Sequence, residues 1–143
     1  MQRIMVATDG SPGANRAVDC AARLAKAIGC DLMILTIGGN NITGAELRRL
    51  ADSGGDVSEA LEAVANRVLK QAQKRAQRIG VAALNLRCKW GDPAETIIDT
   101  VRREKVDILV VGRRGRGRLS GLLLGSVSQK LASLAPCVVM VVP

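Results

Sequence analysis

Apolar residues along this chain alternate between short unbroken runs and longer stretches with helical spacing. The first run, Arg3 to Thr8 (RIMVAT), stops at Asp9-Gly10-Ser11-Pro12. Ser11 is a good helix N-cap and Pro12 suits the first helical position. Ala14, Ala17, Val18, Ala21, Ala25 and Ile28 then recur on one helical face, and Gly29 supplies the stop. Asp31 to Ile37 (DLMILTI) is a second buried run. Strand, helix and strand over this length predict a right-handed βαβ unit.

Gly38 to Gly55 is the least regular stretch. It predicts a long, mobile connection with a short helical piece near Ala45 to Ala51. A strong helix is expected from Val57 to Ile79. Its apolar face is Leu61, Val64, Ala65, Val68, Ala72, Ala76 and Ile79, and Lys70, Lys74, Arg75 and Arg78 lie largely off it. Ala82 to Lys89 reads as a third strand, and Gly91-Asp92-Pro93 opens a helix carrying Ile97, Ile98 and Val101. Asp107 to Val111 (DILVV) is the fourth strand. A glycine- and arginine-rich loop follows it, then a helix from about Ser126 to Leu134 and a fifth strand, Cys137 to Val142. Five strands alternating with about four helices predict an α/β fold. The expected form is a single three-layer, doubly wound domain over residues 1–143, with a five-stranded parallel sheet in the order 3-2-1-4-5.

Composition sharpens this picture. Apolar residues make up 48% of the chain, enough for a real core, yet Trp90 is the one aromatic residue. The core must be built from Val, Ile, Leu and Ala, which suits parallel strands covered on both faces. It also disfavours a base-stacking platform for single-stranded nucleic acid. With no histidine, Ser-His and Cys-His nucleophilic devices are excluded. Cys20, Cys30, Cys88 and Cys137 form no C-x-x-C pair and are expected to be small buried thiols. Met1 leads directly into a strand pattern, so no signal peptide is expected, and no run approaches the ~20 apolar residues of a membrane helix. The expectation is a soluble, cytoplasmic protein without a membrane partner. A net charge of +8 raises the odds of an anionic partner, although no recognised nucleic-acid motif accompanies it.

Ligands on doubly wound sheets bind beyond the carboxyl ends of the strands, where the strand order reverses. After the fourth strand the chain reads G-x2-G-x9-G-S, with glycines at Gly112, Gly115 and Gly125 and the serine at Ser126. Glycines let successive backbone N–H groups approach one anion. A helix opening at Gly125-Ser126-Val127 adds free amides and a favourable dipole. Arg113, Arg114, Arg116 and Arg118 stand beside that cradle. No G-x-x-x-x-G-K-[ST] is present, which argues against a P-loop NTPase.

The fourth strand, this loop, the closing APCVVMVVP and the opening strand with Thr8-Asp9-Gly10-Ser11 resemble the universal stress protein family, in its ATP-binding branch. The resemblance implies that Gly112, Gly115, Gly125, Ser126 and Val127 hold phosphates and ribose. It also implies that Asp9 stands by ribose and adenine, with Ala7, Thr8 and Ile37 lining the base pocket and Val111 close by. Arg113 and Arg114 occupy positions where small or imidazole side chains are common in the family; with Arg116 they are expected to add positive charge at the phosphates. The resemblance further implies ATP, with any Mg²⁺ carried in by it, and a homodimer through Cys137 to Val142. A nucleotide-dependent regulatory module in stress response is the leading expectation, with no catalytic residue and no resident metal. The alternatives are a slow ATPase or an autophosphorylating enzyme using Ser120, Ser126 or Ser128, and, more remotely, a polyanion binder.

Overall fold

A computed structural model describes residues 2–40, 42–114 and 124–143. The strands are β1 (Ile4–Ala7), β2 (Leu32–Gly38), β3 (Leu84–Trp90), β4 (Ile108–Gly112) and β5 (Val138–Val142). The helices are α1 (Pro12–Ile28), α2 (Gly44–Asp52), α3 (Val57–Ile79), α4 (Pro93–Glu104) and α5 (Ser126–Leu134). All strand pairs are parallel and the sheet order is β3-β2-β1-β4-β5. The expected order and fold class are therefore observed, with five helices rather than about four. Among the described residues the fifth is α2, the short helical piece expected near Ala45 to Ala51, which Thr43 and Glu46 hold by a reciprocal capping box.

Side-chain alternation along the strands divides the core into two layers. Ile4, Val6, Leu32, Ile34 and Val110 pack beneath α1 and α3, whose small residues Ala17, Ala21, Ala25, Ala72 and Ala76 let the helices approach closely. Met5, Leu35, Ile37, Leu109 and Val111 face the other way, under Ile97, Ile98 and Val101 of α4 and Leu131 of α5. Arg75 departs from the expectation that it lies off the packed face of α3. Its guanidinium holds Asp19 of α1 in a two-point contact of 2.9 and 2.7 Å, half-buried at the helix–helix seam.

The four cysteines are free and half-buried rather than fully buried. Burial pushes the Cys30, Cys88 and Cys137 thiols above their ordinary range, which keeps them protonated and weakly reactive. Among the described residues, no helix is long and apolar enough to cross a membrane.

Candidate nucleotide site

β1 and β4 are neighbours in the sheet, but α1 leads from β1 to β2 on one side and α5 leads from β4 to β5 on the other. Their carboxyl ends therefore splay apart and leave a crevice. On the β1 side, Thr8 N–H donates to Leu35 O at 2.9 Å and Thr36 Oγ1 donates to Thr8 O at 2.7 Å, locking the strand exit to β2. Beyond it, Asp9 Oδ1 accepts from Ser11 N–H at 2.9 Å, and Ser11 Oγ accepts from Ala14 N–H at 3.2 Å as the cap of α1. Asp9 thus builds the turn and also lines the crevice.

On the β4 side the backbone comes unusually close to α1. A Cβ on Gly112 would meet the Gly13 carbonyl carbon and oxygen at 3.0 Å, and a Cβ on Gly13 would meet Arg114 O at 2.9 Å. Two glycines back to back are what permit this approach. Ser128 Oγ donates to Gly112 O at 2.6 Å. Arg113 N–H donates to Val142 O at 2.7 Å, and Arg113 O accepts from Gly125 N–H at 2.9 Å. The two stems of the loop are therefore tied together, and the helix α5 opens directly onto the crevice.

The resulting cleft has a volume of about 210 Å³, far more than the ~10–15 Å³ that a single water needs on the same measure. Its apolar lining is Leu35, Ile37, Pro93, Ile97, Val111 and Leu131. Its polar side is Asp9, Gly112, Arg114, Gly125 and Ser126. Two features of the polar side lack their usual partners. Arg114 Nε is buried and has no hydrogen-bond partner among the described residues. Helices α1, α2, α3 and α4 are each capped by a side chain, from Ser11, Thr43, Asp56 and Asp92, whereas α5 begins at Gly125 with no side-chain cap. Helix-start amides without a side-chain cap among the described residues, together with a buried guanidinium donor, suit an anion.

Of the residues expected from the sequence, Ala7, Thr8, Asp9, Ile37, Val111, Gly112, Arg114, Gly125, Ser126 and Val127 line this cleft. Arg113 is not among the lining residues; its side chain is exposed and its backbone closes the loop stem. Gly115 and Arg116, with Arg118 and Ser120, lie outside the described residues. Ser128, weighed as a phosphate acceptor, is buried with its hydroxyl committed to Gly112. Sequence reasoning missed Ala14, Leu35, Asn40, Pro93, Ile97 and Leu131 as lining residues. A polar residue just past the carboxyl end of β2 was the available signal for Asn40, while Pro93 had been read purely as a helix opener. Among the described residues, no group of three or more His, Cys, Asp or Glu could hold a metal ion.

Comparison with known proteins agrees with this architecture. A model of the universal stress protein family matches residues 1–143. The chain is 30% identical to universal stress protein YxiE of Bacillus subtilis, over 98% of this chain and 97% of that protein. It is 33% identical to universal stress protein Rv1636 of Mycobacterium tuberculosis, over 97% and 94%. A crystal structure of a universal stress protein in complex with cAMP superimposes with a TM-score of 0.75 at 31% identity, covering 99% of this chain and 97% of that one.

Proposed function

Because the chain belongs to the universal stress protein family, we propose that it binds an adenine nucleotide, ATP foremost, in the cleft between β1 and β4. The observation that carries this reading is the buried Arg114 Nε, without a hydrogen-bond partner among the described residues, in the same cleft lining as the start of α5, which has no side-chain cap among those residues. A guanidinium donor buried without a partner costs a few kcal/mol, and a phosphate oxygen at that position removes the cost. Asp9 and Ser126, on the same polar side, supply an acceptor and a donor for ribose hydroxyls and phosphate oxygens. The apolar side suits a purine. A similar protein, 31% identical, has been crystallised in complex with cAMP, which supports the ligand class. Any Mg²⁺ would arrive on the phosphates.

The module is a binder rather than a fast enzyme. Asp9 is the one carboxylate among the described lining residues and serves the ribose, so among the described residues no second carboxylate is left as a general base for the phosphate side. In this reading nucleotide occupancy biases a surface used in stress response. The protein works in the cytoplasm, where four free cysteines suit a reducing environment. It pairs as a homodimer through β5, which is a sheet edge of Val138-Val-Met-Val-Val142 with Val138 62% exposed. The opposite edge, β3, carries Arg87 and Lys89, charges that discourage strand addition there.

Calorimetric titration with ATP tests the site. Replacing Arg114→Leu or Gly125→Val is expected to weaken ATP binding at least about tenfold, equivalent to ~1.4 kcal/mol. Equal affinity in wild type and both variants would defeat the reading.

A further inference from the structure

We propose that Trp90 is a positioning residue for the base-holding side of the cleft, acting through a face contact with Gly38; this rests on the nucleotide reading above. Trp90 ends β3 directly opposite Gly38, the last residue of β2. A Cβ on Gly38 would lie 2.6 Å from Trp90 Cη2 and Cζ3 and 2.7 Å from Cδ2. Near-equal distances to three atoms spread around the six-membered ring mean that the indole lies flat on the Gly38 backbone. A side chain at that position would have to displace the ring.

Two chain segments leave this contact, and both reach the cleft. One is Gly38-Gly39-Asn40, in which Gly39 has φ +83° and Asn40 N–H donates to Ile37 O at 3.2 Å. The other is Gly91-Asp92-Pro93, in which Gly91 has φ +135° and Asp92 caps α4 by accepting from Glu95 N–H. Ile37 just before the first segment and Asn40 at its end, with Pro93 at the end of the second and Ile97 beyond it, line the cleft. Glycine-containing turns of this kind are loose hinges unless something holds them. The indole braces both at their root.

Simple core packing does not account for this placement. Trp90 is 50% exposed, and the two apolar layers are complete without it. A large ring left half in water while covering a glycine is better explained by what that glycine carries. Trp90 does not itself line the cleft, so its effect is on the geometry of the groups that do. The phosphate side, built from β4, the loop stem and α5, does not pass through this contact. Trp90 therefore governs the base and leaves the phosphates alone.

The test separates the two ends of the ligand, with ATP and inorganic tripolyphosphate as calorimetric probes. Trp90→Ala and Gly38→Ala are expected to weaken ATP about tenfold while moving tripolyphosphate by less than about twofold. Trp90→Phe, which keeps a flat ring, restores ATP binding to within about threefold of wild type. Gly38→Ala also shifts the tryptophan emission to longer wavelength, because the displaced ring enters water. ATP binding unchanged in Trp90→Ala and Gly38→Ala overturns the inference and leaves the nucleotide reading standing. So does a proportionate loss of both probes, which marks general damage to the fold. A wild-type protein that takes up neither probe overturns the nucleotide reading and the inference with it.

Discussion

Gly13 shows how a single missing side chain can set the geometry of a site. It occupies the first turn of α1, where alanine would favour the helix by roughly 0.5–1 kcal/mol. Yet a Cβ there would meet Arg114 O at 2.9 Å, so the helix forgoes propensity to let the strand exit of β4 lie against it. We expect Gly13→Ala to gain no thermal stability and to lower ATP affinity several-fold, on the order of 1 kcal/mol, by pushing Arg114 out of register. Paired melting and calorimetry check this; a stabilised variant with intact binding would show that the close approach is incidental. The role was not legible in Ser11-Pro12-Gly13, which reads locally as a cap and a helix start. Its cause is a contact with residues about a hundred positions away, and only the folded chain brings them together. Asn40 escaped for the same reason, whereas Asp9 and Gly125 were visible because strand-end and helix-start signals are local.

At the scale of elements, helices were more legible than strands. The bounds of α3, Val57–Ile79, and of α5, Ser126–Leu134, coincide with those expected, because caps, periodicity and breakers act within a few residues. Strand limits moved by one or two positions. β2 and β3 run on to Gly38 and Trp90, since pairing with a neighbour, rather than a strand's own composition, decides where it stops. The end of α4 also carries a testable imperfection. Its C-cap is Lys105, with φ 53° and ψ 51°, a left-handed conformation that costs a non-glycine residue about 1–2 kcal/mol. Glycine removes that cost but adds up to about 1 kcal/mol of unfolded-chain entropy. Lys105→Gly is therefore expected to stabilise the protein by roughly 0.5–1 kcal/mol, read as a higher urea midpoint at unchanged m-value. A lower midpoint would mean that the Lys105 side chain contributes more than its backbone costs.

For the whole molecule, one topological fact organises the rest: order β3-β2-β1-β4-β5 puts the reversal between β1 and β4. That order follows from alternating buried runs and helices, and so was readable before any coordinates. The reversal brings the Asp9 turn, the β4 exit and the start of α5 to one crevice, although they are scattered from residue 9 to residue 128 of the chain. The +8 charge adds a general attraction for anions that weakens with salt, whereas the proposed contacts inside the cleft are expected to be screened less. The account stands on adenine nucleotide occupying that crevice, and an amide NMR titration with ATP at physiological salt addresses this most directly. Saturable shifts are predicted at Asp9 to Ser11, Gly112 to Arg114 and Gly125 to Ser128, with Arg3 and Cys30 at the opposite end of the sheet unmoved. Saturating ATP that leaves those three segments unshifted would contradict it.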